Sequence, residues 1–367
     1  MHSSTSSSDR PLPSLPWRLV HGTAALALLA VVLTLELALT WRGFEPTVQD
    51  SNLLWAKQRA LAGALGPAAL VLVGKSRVQL GVDLDLLRAA SGMEPVQVAV
   101  DGNPFLPILQ GLAADPEVRG TVVVSLDGGL LDEVSELDES LALERYYQRE
   151  YRFHSALPDS SVTEAWLREL LHRHIRSYAD GSRPLDALLT RVVNSEATPQ
   201  YLVTYPDRSR AADYSRVPMP NFYLNRVARL LGLPVPSNIA ADTETYELWL
   251  TRNIETIDPV SDINLQDRIS TLRNLAAAVR SRGGIVVFLQ MPVCGLVREL
   301  EERRQPRAKF WDRLVDGVDS ATVHYADVPE MRALKCSDGS HLDRGDRAEF
   351  TRILVRELRA VGAIRHR

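Results

Sequence analysis

The sequence predicts an α/β fold: a parallel sheet with helices on both faces, enlarged by a helical cap insertion and preceded by one N-terminal transmembrane helix. Three observations carry this expectation. Five short runs, 70–73, 95–100, 120–126, 285–289 and 322–325, are apolar without the alternation of a half-buried strand, as strands covered on both faces are. Stretches of helical period separate them, which is the rhythm of a parallel sheet. Between the third and fourth runs, from about 130 to 261, that rhythm lapses over a length too great for a simple loop.

Composition sets the outer limits. The chain has 367 residues, 45% hydrophobic and 24% charged, enough for a large core. A net charge of −4 with no basic run argues against nucleic acid as a partner. Residues 1–17, rich in Ser and Pro, read as a disordered tail. Residues 18–41 read as a transmembrane anchor: from Leu19 to Trp41 the apolar stretch is interrupted by His21 and Glu36, with Trp17 and Trp41 bracketing it as interface anchors. An uncleaved anchor with the domain outside is favoured by the short positive N-terminus. A cleaved signal peptide is the competing reading, disfavoured by the long apolar region and the lack of an A-x-A site. The counts of Lys and Arg on the two sides do not decide orientation. Residues 42–66 follow as a juxtamembrane connector, and 67–367 as the domain, with its insertion at about 130–261.

In chain order, the first strand stops at Gly74, and Ser76 sits just past its C-terminal end. Ligands bind at that edge in open α/β sheets, so a hydroxyl there can face a crevice; Ser76 could equally cap the next helix. A helix over 82–90 leads to the second strand, which ends in Asp101-Gly102-Asn103-Pro104. This is a strong turn signature, and also a place where the Gly102 N–H and the Asn103 amide could donate to a developing oxyanion. A helix over 107–114 precedes the third strand, which ends in Asp127-Gly128-Gly129. Within the insertion, 137–153, 162–178, 184–193 and 221–231 have helical periods. Its aromatics, among them Tyr146, Tyr147, Tyr151, Phe153, Trp166, Tyr201, Tyr205, Tyr214, Phe222 and Tyr223, could stack on sugar rings, but core packing is the favoured role. Helices over 264–282 and 343–361, and a helix or broken helix over 299–318, complete the domain.

Just before the last helix stands Asp338-Gly339-Ser340-His341, a D-x-x-H element. A serine is a poor nucleophile until a base takes its proton, and a histidine base works best when a carboxylate fixes its tautomer. A strand-end serine early and D-x-x-H late, joined by alternating strands and helices, resembles the SGNH (GDSL-like) hydrolase superfamily. The resemblance implies an SGNH-like, flavodoxin-like sheet, with Ser76 as nucleophile, His341 as general base and Asp338 as its orienter. It also raises the oxyanion reading of Gly102 and Asn103. Two departures put the oxyanion hole in doubt: no Asn follows the third strand, and Lys75 stands where Asp or a small residue is usual.

A single anchor with a capped domain resembles the membrane-anchored branch that handles acyl groups on envelope polymers, such as alginate and peptidoglycan O-acetylation proteins and the D-alanyl transfer protein of teichoic acid. That implies a serine esterase or O-acyltransferase at a bacterial cytoplasmic membrane, its main domain periplasmic or extracellular. A cell-envelope polysaccharide or acyl ester would be the substrate and an integral membrane acyltransferase a partner. A plain tethered esterase and a non-catalytic envelope assembly or polysaccharide-binding protein are the alternatives. Cys294 and Cys336 fall in neighbouring loops, where they read either as a disulfide bracing the D-x-x-H loop or as two small apolar side chains. No metal or other cofactor is expected, since His154, His172, His174 and His324 lack ligand spacing to Cys or carboxylates.

Overall fold

Among the described residues there are seven strands, numbered along the chain: β1 (Ala69–Val73), β2 (Glu94–Gln97), β3 (Thr121–Ser125), β4 (Leu202–Thr204), β5 (Arg210–Ala212), β6 (Ile285–Gln290) and β7 (Ala321–His324). They come from a computed structural model that describes residues 16–154, 160–181, 184–193 and 199–364. Five of them form one parallel sheet in the order β2-β1-β3-β6-β7. The chain steps outward from β1 to β2 and then returns past β1 to β3. That reversal puts the crevice of the sheet at the C-terminal ends of β1 and β3.

The strands are apolar without alternation because both faces are covered. Leu70 and Leu72 of β1 face one core with Val123, Val287 and Leu289, beneath the helices Leu84–Ser91 and Arg347–Ala360. Val71 and Val73 face the opposite core with Val122, Val124 and Phe288, beneath Leu106–Ala114 and Leu265–Arg280. Within residues 42–66, expected as a connector that is polar and then helical, the helix Asn52–Ala64 belongs to this second core. Trp55 is fully buried and its indole N–H donates to the Val98 carbonyl at 3.0 Å. On the same helix, buried Arg59 pairs with Asp115 at 3.0 Å and with Glu144 at 3.3 Å. A buried guanidinium needs such partners, so this helix is fastened to the sheet and to the start of the insertion together.

Boundaries differ from expectation where capping chemistry intervenes. The helix expected over 82–90 runs over Leu84–Ser91, because the Asp83 carboxylate accepts from the Leu86 N–H at 3.0 Å and starts it there, and a separate short helix, Ser76–Gly81, precedes it. The stretch 299–318, expected as a helix or a broken helix, is the broken form: Gly295–Arg304 and Trp311–Val318, with Pro306 between them.

The insertion is not all helical. It contains the antiparallel hairpin β4–β5, whose three-residue strands are too short to show a period. At its turn Arg208 is buried, bonded through Nε and Nη2 to the Asp50 carboxylate (2.6 and 2.7 Å) and through Nη1 and Nη2 to the carbonyls of Gln97 and Ala99 (2.9 and 3.1 Å). These bonds pin the hairpin to the end of β2, beside the crevice. Most of the insertion's aromatics pack inward: Tyr201, Tyr214 and Phe222 form one cluster with centroids 5.5–6.1 Å apart, and Tyr147 lies under the guanidinium of Arg59. Phe153 is exposed. The side chain of Trp166 and residues 1–15 of the expected tail lie outside the described residues.

At the N-terminus, the helix Trp17–Trp41 is long and apolar enough to cross a membrane. No residue from Trp17 to Thr34 is buried against the rest of the protein.

Candidate active site

Ser76 is delivered to the crevice by the turn at Gly74, whose φ of +148° suits glycine alone. The helix Ser76–Gly81 begins at the serine itself, and Lys75 occupies the cap position without a side-chain cap bond. Ser76 is therefore not the capping residue. Its hydroxyl lies 2.8 Å from His341 Nε2.

From the other end of the chain, the D-x-x-H loop completes the relay. His341 Nδ1 lies 2.8 Å from Asp338 Oδ2. The other carboxylate oxygen, Oδ1, accepts the backbone N–H groups of Ser340 (3.0 Å) and His341 (2.7 Å), so the spacing of the motif folds the loop around its own carboxylate. Facing a carboxylate, Nδ1 carries the proton, which leaves the Nε2 lone pair toward Ser76. Burial disfavours the charged form of Asp338. The His341 bond, the Arg226 cation and the Ser340 N–H outweigh it, and hold the carboxyl below the ordinary carboxylate range. For His341 burial is the largest influence and lowers its pKa. The Asp338 bond opposes that, and Arg226 and Arg77 add to the lowering. The base is thus neutral, and ready to accept a proton, near pH 7.

Two residues that sequence reasoning missed also reach Asp338. The Tyr214 hydroxyl donates to Oδ2 at 3.0 Å, and Arg226 Nε lies 3.3 Å from the same oxygen. Both come from the insertion, with no motif to mark them. Their effect on acid–base chemistry has a definite sign. Arg226 disfavours protonation of His341, so Arg226→Gln is expected to raise the His341 pKa. In wild type the acid limb of the pH–rate profile for ester turnover is expected below pH 6.5, the ordinary histidine value. In the variant it moves to higher pH. A kcat/KM profile on a p-nitrophenyl ester checks this, and a limb that stays put refutes it.

Arg77, next to the nucleophile, ties the two halves of the relay together. Its Nε donates to Ser340 Oγ at 3.1 Å, and its Nη atoms pair with Glu301, Nη1 at 3.2 Å. Lys75 is ion-paired to Asp132 in the loop after β3. Asp127, in the same loop, accepts from the Ser125 hydroxyl through Oδ1 and leaves Oδ2 buried without a hydrogen-bond partner. Its burial raises its pKa, against the pull of Arg77.

At the end of β2 the expected oxyanion donors take different roles. The Asn103 side chain is engaged locally: Nδ2 donates to the Asp101 carbonyl at 2.8 Å, and Oδ1 accepts from the N–H of Glu139 (2.8 Å), capping the helix Glu139–Tyr146. Gly102 sits at φ +67° with open space where a Cβ would lie, leaving its backbone N–H as the donor candidate of the pair. Asp101 itself is a site residue that the sequence reading passed over. Burial raises its pKa, but the bond to Arg210 (2.7 Å) outweighs that and lowers it. His341 and the Ser76 hydroxyl are close enough to lower it further.

Cys294 and Cys336 do come side by side, as free thiols and not as a disulfide. The Cys336 N–H donates to Cys294 Sγ at 3.1 Å, and Cys294 Sγ lies 3.3 Å from the Leu334 carbonyl. The Cys294 sulfur is thereby held by the loop backbone, and Cys336 Sγ lies 3.5 Å from the Pro292 carbonyl. Among the described residues, no group of three or more His, Cys, Asp or Glu side chains converges to hold a metal ion.

A hydroxyl, an imidazole and a buried carboxylate in line, at a sheet's C-terminal edge, form an arrangement able to activate the hydroxyl for acyl transfer. Compared with protein-family models the chain matches none, and no curated protein matches it either, so the chemistry of this site is argued from its geometry.

Proposed function

We propose that this chain is a membrane-anchored SGNH-type serine acyl esterase or O-acyltransferase, working outside the cytoplasm on acyl esters of a cell-envelope polysaccharide. The observation that carries the reading is the line Ser76–His341–Asp338, with 2.8 Å at each step. Ser76 Oγ attacks the ester carbonyl while His341 Nε2 takes its proton. The alcohol leaves with that proton, and an acyl-Ser76 remains. Water or a polymer hydroxyl, deprotonated in turn by His341, takes the acyl group and restores the serine. Asp338 stays ionised throughout and steadies the imidazolium. The Trp17–Trp41 helix supplies the anchor, and the resemblance of the Ser76 and D-x-x-H elements to SGNH proteins supports the envelope substrate.

One observation favours a second reading, an SGNH-fold protein that binds polymer without turnover. The Asp101 carboxylate lies beside the Ser76 hydroxyl, where negative charge opposes an oxyanion on the same side. The two readings part on one experiment, labelling of the detergent-solubilised full chain with a fluorophosphonate, read by intact mass. A single adduct on wild type, absent from Ser76→Ala and His341→Ala, is expected. A folded wild type that takes no adduct overturns the enzyme reading in favour of binding.

A further inference from the structure

We propose that residues 184–193 form an interfacial element that seats the domain on the lipid surface beside the anchor, so that the domain is held at the bilayer by two points and not by one tether. The inference rests on the reading of Trp17–Trp41 as a membrane span, and the position of Glu36 defines where that span ends. This is the acidic residue of the helix, and its carboxylate accepts the backbone N–H groups of Arg176 and Ser177, each at 2.8 Å. Leu35 and Leu39 are buried there with Phe44 and Ala187. The helix is therefore clasped by the insertion from residue 35 onward. The unclasped part, from Trp17 to Thr34, is about 27 Å long at ~1.5 Å per residue, close to the ~30 Å of a hydrocarbon core. The bilayer surface thus falls at the level of the clasp.

At that level the segment 184–193, helical throughout, lies against the span. Ala187 is buried in the clasp and Val192 is packed against it. A different stripe points outward: Leu185 is 64% exposed, Leu189 53% and Val193 66%, at a spacing of four residues. On the span itself, Leu37 and Trp41 are also uncovered, Trp41 at 93%. An apolar stripe continuous with a span, at the depth where it leaves the core, fits the acyl and headgroup boundary of the same membrane. A tryptophan at that depth is a usual interfacial anchor. Three arginines gather there. Arg42 Nη1 donates to the Arg191 carbonyl (3.0 Å), Arg176 Nε donates to the Phe44 carbonyl (2.9 Å), and the Arg191 guanidinium lies over the Phe44 ring. Cations at this level suit lipid phosphates.

The test uses the full chain in nanodiscs of phosphatidylcholine and phosphatidylglycerol, with the photoreactive residue benzoylphenylalanine placed at one position at a time. Leu189 is the query. Leu28 reports the span, Leu37 its clasped end and Leu137, exposed in the turn before the helix Glu139–Tyr146, the aqueous background. The expected result is a lipid adduct at 189 comparable to that at 37 and several-fold above 137. An adduct at 189 no greater than at 137, with strong labelling at 28, overturns the proposal while leaving the span intact, and is the result if a partner protein covers the stripe. Loss of the lipid adduct at 28 overturns both, and locates the failure in the reading of the span.

Discussion

Replacing Asp338 with Asn is expected to lower ester turnover by about 10⁴-fold while leaving the fold intact. The amide would be oriented by its surroundings. At the Oδ1 position two backbone N–H groups, from Ser340 and His341, require an acceptor, so the amide oxygen takes that place. Its NH₂ then faces His341 Nδ1, which must become an acceptor, and the proton moves to Nε2. The ring now presents an N–H to Ser76 and has no lone pair with which to take the serine's proton. Stabilisation of the imidazolium by a buried carboxylate disappears as well. Thermal unfolding should change little, because both loop bonds survive and the Tyr214 hydroxyl can reverse its role and accept. Measured kcat/KM on an acyl ester, alongside a melting curve, checks the pair of outcomes. Activity within tenfold of wild type would mean that His341 does not depend on Asp338, and the relay would have to be abandoned.

The three relay residues are legible in the sequence. Ser76 was marked by an apolar run that stops at a glycine, and Asp338 and His341 by their spacing before an amphipathic helix. The parallel sheet was legible for a related reason: strands buried on both faces lose their alternation, and five of them recur between helices. What escaped was long-range and carried by single side chains. Tyr214 and Arg226 reach Asp338 from the insertion, more than a hundred residues away, and nothing local distinguishes them from other tyrosines and arginines. The hairpin that leads into Tyr214 has strands of three residues, below the length at which period 2 can be read. Arg208 is charged, so composition places it outside, whereas three hydrogen-bonding groups at the end of β2 and in the 42–51 stretch hold it inside. Asp101 could have been found, since it precedes the Gly102 singled out as a donor. It was read only as part of a turn. The aromatic cluster Tyr201–Tyr214–Phe222 shows the opposite case, where burial was the correct expectation for aromatic side chains even in a cap.

Gly74→Ala is expected to destabilise the domain by about 2–5 kcal/mol, and to slow acylation by roughly 10²-fold in the molecules that remain folded. Two costs add. A φ of +148° is a conformation that a residue with a Cβ rarely adopts, and the strain alone is on the order of 1–3 kcal/mol. The new Cβ would also lie 2.8 Å from Ser125 Cβ, 3.0 Å from the Ser125 carbonyl oxygen and 3.2 Å from Val78 Cγ1. Neither side can yield cheaply. Ser125 is the last residue of the central strand β3, and the Gly74 carbonyl is itself held by the Val100 N–H at 3.0 Å. Relief must come from the turn that carries Ser76, two residues on. A hydroxyl set 2.8 Å from Nε2 has little tolerance for that displacement. Gly232→Ala separates strain from collision: this glycine ends the helix Asn221–Leu231 at φ +74°, and a Cβ there would meet nothing within 4 Å. It should cost only about 1 kcal/mol and leave fluorophosphonate labelling at the wild-type rate. If the two alanine variants melt together and label equally fast, the turn is softer than its contacts imply, and the close approach of β1 and β3 does not set the position of Ser76.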